Sequence, residues 1–368
     1  MPYPLLLHSK HLETPVTYEP FGSWMVPWRF DTLETEYRCL RKGTGLLDYS
    51  TQALIEVQGD DRAMFLHNLL TNDIKRLTPG TGCQAALLTS TAKLVADLLV
   101  LADQDACWLL CDATRAAVVV ETLNRYLFAE HVSLTNHERR DAVLALQGPR
   151  TTDCLGRLFG SAVVLPQSGD HVVRVFEGIS LRLVRHSLAG EAGVLCLCPA
   201  EHAHRLWELL RARGAAAGLT LVGWEALNTA RIEAGIPWFG IDMDETNLLP
   251  ETGWETATVS DTKGCYLGQE IVARMRTYGS ASKKLMGLLV EGARVPEMGD
   301  RIERDREPIG RITSACWSPS LERPVAMGYV KRGAYDPGAR VEIVRDGQRL
   351  SAIVANRPLV PRGQSSCQ

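Results

Sequence analysis

Ala85 to Leu88, Leu94 to Ala102 and Ala106 to Cys111 are three apolar runs separated by short polar breaks, and their reading decides the fold. Each run has the length of a strand and each break leaves room only for a turn, so the three predict a β-meander. Before them, Ala53 to Gln58 alternates apolar and polar residues like a strand. Arg62 to Leu70 then sets Phe65, Leu66 and Leu69 on one side of a helix. After them, Thr114 to Leu127 is amphipathic at helical spacing and Val132 to Leu134 reads as another strand. Strand, helix, three strands, helix, strand is the order of an α+β layer.

A second cycle begins at Asp141. Val143 to Leu146 is a strand that turns at Gln147-Gly148-Pro149 into a helix over Thr151 to Phe159. Val172 to Phe176 and Ile179 to Val184 form a hairpin across Glu177-Gly178, followed by a strand at Val194 to Leu197 and a helix at Ala200 to Arg213. Further helices are predicted over Trp224 to Ala234 and Cys265 to Met275. Upstream, Phe21 to Phe30 is rich in Trp, Pro and Gly and reads as irregular, and Asp31 to Lys42 as a helix ended by Gly43 and Gly45. From Lys284 to Leu359 short strands alternate with Gly and Pro turns, the texture of a small all-β barrel. The expected architecture is α+β, with two α/β subdomains within residues 1–283 and a β-barrel over 284–368. Gln364 to Gln368 are expected to be disordered.

Composition narrows the function. The 368 residues carry 40 Lys plus Arg against 43 Asp plus Glu, a net charge of -3, which excludes a strongly basic nucleic-acid platform. No apolar run approaches the roughly 20 residues of a membrane span; the longest, Leu94 to Leu101, is broken by Asp97. The cysteines are scattered and include no Cys-x-x-Cys pair, so reduced thiols and a cytoplasmic location are expected. Cys196 and Cys198 lie in an apolar run, where cysteine behaves as a small hydrophobe, and no metal site is predicted.

Two charged residues stand out. Glu191 lies in Ala189-Gly190-Glu191-Ala192-Gly193, a tight turn whose glycines allow a close approach. Arg231 follows Leu227 and Ala230 on a helix that faces a core, where a guanidinium needs an oxygen partner. The two side chains either pair with each other or with solvent, or hold a flat ring that offers N–H donors on one edge and a carbonyl on another.

Several segments together resemble one family. Phe21-Gly22-Ser23-Trp24-Met25-Val26-Pro27, Gly45-Leu46-Leu47-Asp48-Tyr49-Ser50, Leu146-Gln147-Gly148-Pro149 and Arg231-Ile232-Glu233-Ala234-Gly235 resemble the folate-binding superfamily of the glycine-cleavage T protein, an aminomethyltransferase. Ile309-Gly310-Arg311-Ile312-Thr313-Ser314 resembles its C-terminal barrel signature. The resemblance runs from about Pro15 to Val360 and implies a three-lobed ring with folate in a central hole. It further implies tetrahydrofolate as cofactor, with Glu191 and Arg231 as the pterin contacts.

The resemblance departs from the T protein at two places. The family's catalytic Asp, the first of two acids on a strand, falls on Ala96 in an ungapped match, and the second acid falls on Asp97. Neighbouring strand residues face opposite sides of a sheet, so Asp97 replaces its neighbour only if a bulge re-aims it. Little aminomethyl transfer is therefore expected. The second departure is Lys263-Gly264-Cys265-Tyr266-Leu267-Gly268-Gln269-Glu270, which is similar to the signature of the YgfZ-type proteins that maintain iron–sulfur enzymes. It implies a working thiol at Cys265, activated by Lys263 and the start of the next helix. The function expected on this reading is a YgfZ-like folate-binding protein that supports iron–sulfur cluster assembly with iron–sulfur enzymes as partners. The alternatives are an aminomethyltransferase served by a lipoylated carrier protein and a non-catalytic folate-binding scaffold.

Overall fold

The computed structural model describes residues 2–278 and 281–361. The meander is present, as strands Thr81–Leu88, Leu94–Ala102 and Ala106–Asp112. Gln52–Gln58 and Ser133–Asn136 extend it to a five-stranded sheet in which the strand Gln52–Gln58 pairs with Ala106–Asp112. The second cycle makes a six-stranded sheet whose order runs His171–Phe176, Ile179–Arg185, Gly193–Pro199, Asp141–Gln147, Thr44–Asp48, Leu219–Leu221. Lys283–Val290 to Gln348–Ala355 close into a six-stranded barrel. Mixed α/β sheets with a C-terminal barrel are the architecture expected from the sequence. The segment expected to be disordered, Gln364 to Gln368, lies outside the described residues.

Three local expectations are corrected. Phe21 to Phe30 is not irregular: Thr17–Phe21 and Trp24–Arg29 form a hairpin around Gly22, which has φ +56°. Pro27 is tolerated there because the neighbouring strand Tyr3–Pro4 pairs with Trp24 and Met25, and among the described residues no strand on that side pairs with Pro27. Thr44–Asp48, read only as the end of a helix, is a strand of the second sheet although it precedes every strand of the first. Gly45 fits there because a Cβ would lie 2.6 Å from Val222 Cγ2. The helix expected over Cys265 to Met275 starts only at Gln269. Gly268 precedes it with φ +80°, and a Cβ at that position would come 2.7 Å from the Thr89 carbonyl oxygen.

The two sheets share one apolar core. Leu47, Val143, Ala145, Val184 and Leu195 from the second sheet join Ile55, Leu87, Val100 and Leu109 from the first. Each fully buried aliphatic side chain of this kind contributes about 1.5–3 kcal/mol. The barrel has its own core around Leu288, Ile302, Ala326 and Ile343. Among the described residues no helix is long and apolar enough to cross a membrane.

Candidate active site

The strand Leu94–Ala102 is not regular. Its register against Thr81–Leu88 passes from Leu88↔Leu94 to Leu87↔Ala96, so Val95 is an extra residue, a β-bulge. The bulge changes the parity of the strand. Leu94 and Asp97 are three apart and share a face, because their partners Leu88 and Ala86 are two apart. Ala96 points the other way, into the apolar core beside Leu87. Asp97 instead lines a cavity of about 150 Å³ on the opposite face. The barrel contributes none of its described lining residues.

Strand alternation supplies the rest of that wall. Gln84 pairs with Leu99, Leu99 with Leu110 and Gln52 with Asp112, and all of these line the cavity with Asp97. Burial pushes the Asp97 carboxyl up to about 6, and the neighbouring charge of Asp112 adds to the effect. Burial also raises the Asp112 pKa, partly offset by bonds from the Thr114 backbone N–H at 2.8 Å and hydroxyl at 2.5 Å. The opposite wall is aromatic. Tyr49 stacks on Trp224 with centroids 5.6 Å apart, and Phe21 and Trp238 pack edge to face at 5.3 Å. From the second sheet come His186, Ser187 and Leu188. A carboxyl that gains or loses its proton near neutrality, in a slot of aromatic rings, is suited to general acid–base chemistry on a flat ligand.

The residues implied as pterin contacts lie elsewhere. Arg231 is fully buried: it forms an ion pair with Asp242 and donates to Ser314 Oγ at 2.6 Å, Asn228 Oδ1 at 2.9 Å and the Ile236 carbonyl. Its guanidinium carbon lies 4.8 Å from the ring centroid of Trp238, so it backs a cavity wall without lining the cavity. Glu191 accepts from Arg41 at 3.3 Å, and Arg41 also bonds the Ala189 and Ala230 carbonyls and Glu233. Glu191 is not among the cavity's lining residues either. Neither Glu191 nor Arg231 lines the cavity that Asp97 faces.

The Lys263–Glu270 segment is a tether. Lys263 Nζ donates to the carbonyls of His67, Leu70 and Asn72 at the end of the helix Arg62–Leu69, and burial lowers its pKa to about 8. Its ammonium also sits 5.3 Å from the ring centroid of Tyr266, which is buried beside Leu249 and Val272. Gln269 Oε1 accepts from the Tyr266 backbone N–H at 3.3 Å, and Gly264 and Glu270 are exposed. Cys265 is exposed at the surface and does not line the cavity. The Lys263 ammonium expected to activate it is committed to backbone carbonyls.

Sequence reasoning passed over His186, Ser187, Gln52 and Asp112. Only the spacing of Asp97 and Asp112 on consecutive strands of a meander signalled that they meet.

The GCVT N-terminal domain family matches residues 7–262, and the glycine cleavage T-protein C-terminal barrel domain matches 283–361. The chain belongs to the glycine-cleavage T-protein family. It is 30% identical over 97% of its length to an aminomethyltransferase of Desulforamulus reducens, with 97% of that protein covered. A Geobacillus aminomethyltransferase is 28% identical over 94% of both chains. The crystal structure of the glycine cleavage system aminomethyltransferase T from Bartonella henselae superposes with a TM-score of 0.88 over 98% of both chains, at 23% identity, and shares the fold. These relatives overturn the YgfZ-like, iron–sulfur reading of the Lys263–Glu270 segment: over nearly the whole chain the similarity is to proteins named aminomethyltransferase. Lys263 and Tyr266 of the segment serve packing, and Cys265 is exposed outside the cavity.

Proposed function

We propose that this protein is a folate-dependent aminomethyltransferase, which takes a one-carbon unit from an aminomethyl group on a lipoylated carrier protein and passes it to tetrahydrofolate. The observation that carries the reading is Asp97: a carboxyl on the cavity wall, its pKa raised to about 6, re-aimed there by the Val95 bulge. The aromatic wall and the Asp97, Asp112 and Gln84 side chains suit a pterin, a flat ring with N–H donors at its edge. Tetrahydrofolate supplies two ring-region nitrogens that accept the one-carbon unit and give up protons as they do so. The carbon's bonds to the amine and to the lipoyl sulfur both break, and the two protons that the nitrogens lose leave on ammonia and on the dihydrolipoyl thiol. Asp97, ionised above pH about 6, accepts a proton from the attacking nitrogen and returns it to the departing amine. Trp224, Trp238 and Tyr49 exclude water from that exchange. The reading places the protein in the cytoplasm, in keeping with its free cysteines.

The test is ammonia release by the purified protein supplied with an aminomethyl-loaded lipoylated carrier and tetrahydrofolate. Release that requires both substrates is expected. No release, under conditions in which an established T protein turns over, sinks the reading.

A further inference from the structure

The loop that follows strand Ile179–Arg185 is held from behind and left unsatisfied in front. Gln147, fully buried, donates from Nε2 to the His186 carbonyl at 3.1 Å and accepts at Oε1 from the Leu188 N–H at 2.8 Å. The His186 N–H donates to the Gly193 carbonyl at 3.0 Å. Gly193 permits this close packing, since a Cβ would fall 2.3 Å from Gln147 Oε1 and 2.4 Å from the His186 carbonyl oxygen. The backbone of the loop is therefore held at His186 and Leu188.

The side chains at the same place behave differently. His186 Nδ1 and Ser187 Oγ are buried and have no hydrogen-bond partner, and both residues line the cavity. A buried polar atom left unpaired costs about 1–3 kcal/mol, so two adjacent ones on a rigid loop mark groups whose partner arrives with a ligand. Burial lowers the His186 pKa to about 4, so near neutral pH its ring is uncharged and offers one donor and one acceptor. The cavity wall also carries two carboxyls, Asp97 and Asp112, and no Lys or Arg among its described residues. An anionic group seated there would meet like charge with no cation to offset it. The part of a ligand that enters is uncharged and bears both donors and acceptors.

We propose that His186 and Ser187 are the specificity-determining contacts of this cavity. They hydrogen-bond the edge of an uncharged bicyclic ring, the pterin if the aminomethyltransferase reading holds, and fix which edge of that ring meets Asp97. Any anionic tail of the ligand stays outside and adds little.

The full chain is titrated with tetrahydrofolate and with 6-methyltetrahydropterin, which has the ring and no tail, by calorimetry. Wild type is expected to bind both with similar affinity. His186→Ala and Ser187→Ala weaken both ligands roughly tenfold, the loss of one hydrogen bond to a buried partner. His186→Asn, which keeps a donor and an acceptor, stays within about threefold of wild type. Thermal unfolding checks that each variant is folded, and if His186→Ala is not, the smaller truncation Ser187→Ala decides. Wild-type affinity for both ligands in both alanine variants overturns this inference and leaves the aminomethyltransferase reading standing. A wild type that binds tetrahydrofolate but not the tail-less ring overturns the assignment of the cavity to the ring. A wild type that binds neither overturns both the inference and the reading on which it rests.

Discussion

At the joint between helix Trp224–Glu233 and the barrel, a buried arginine and two buried carboxylates are paired on every side. Arg231 meets Asp242, Ser314 and Asn228; Asp242 accepts from Thr313 at 2.6 Å and Ser314 at 2.7 Å; Glu233 accepts from Tyr37 at 2.6 Å, Arg41 at 2.7 Å and Ser318 at 2.5 Å. Across the Trp238 ring, the cavity holds carboxyls, a histidine and a serine of similar polarity, with buried atoms unpaired and the Asp97 pKa raised. At the joint Arg231, Asp242 and Glu233 are each satisfied by protein groups, although the buried Nε of Arg41 beside them has no partner, and these bonds fix how the barrel sits. The cavity is open, and its missing partners are a ligand's to supply. Burial alone does not distinguish a binding site from a structural staple. Unpaired polar atoms on the wall of an open cavity do.

The comparison breaks most readily at Asp97. Asp97→Asn is expected to lower aminomethyl transfer by at least about a hundredfold while leaving thermal stability unchanged or higher, because an acid no longer has to be buried. In wild type the transfer rate should fall as pH drops below about 6, since the folded-state pKa is raised and the carboxylate that accepts the proton is lost there. A rate that is flat from pH 5 to pH 8 would take Asp97 out of the chemistry.

Next in size is the joint. Arg231→Ala leaves Asp242 buried without its cation and should cost about 3–5 kcal/mol in urea unfolding. The ligand affinity of the molecules that remain folded should change far less. A normally stable Arg231→Ala protein that fails to bind tetrahydrofolate would return Arg231 to the ligand and erase the contrast.

A smaller effect sharpens the same distinction at the contact between the sheets. Asp103 accepts from Arg182 at 3.0 and 2.6 Å, from Trp108 at 3.0 Å and faces His171 at 3.1 Å. Burial works upward on its pKa, but Arg182 outweighs it with help from His171 and Trp108, and the pKa falls to about 2. With an unfolded value of about 3.9, the stabilisation is complete above pH about 4 and is lost as pH falls towards 2. Asp103→Asn should remove about 1 kcal/mol at pH 7, discounted for partial exposure and solvent screening, and flatten the acid limb of the stability profile. The smallest effect is at the surface: Cys265→Ser should leave stability within about 0.5 kcal/mol and transfer activity unchanged, measured by urea unfolding and ammonia release.

Much of the fold was legible because its signals are local. The meander, the second cycle and the barrel each announce themselves by apolar runs of strand length and by Gly and Pro turns, which need no knowledge of the partner strand. The family resemblance was legible for the same reason, as its motifs are contiguous. The site was less so. Asp97 was visible as an acid on a strand, but alternation read from sequence gives one parity, and the Val95 bulge changes it. Glu191 and Arg231 were visible as charges that need partners, but Arg41 and Asp242, which are those partners, come from other parts of the fold. His186 and Ser187 gave no signal, since a polar pair at the end of a strand is ordinary until its environment is known.

The amino-acid order by itself therefore determined most of the elements, the barrel and the family, but not the hairpin over residues 17–29 or the strand Thr44–Asp48. Tertiary structure decided which strand Thr44–Asp48 joined, which side Asp97 faced and which buried charges were satisfied. The physical reason is range. Periodicity and turn chemistry act over a few residues, whereas register, pairing and desolvation depend on segments that meet only when the chain has folded.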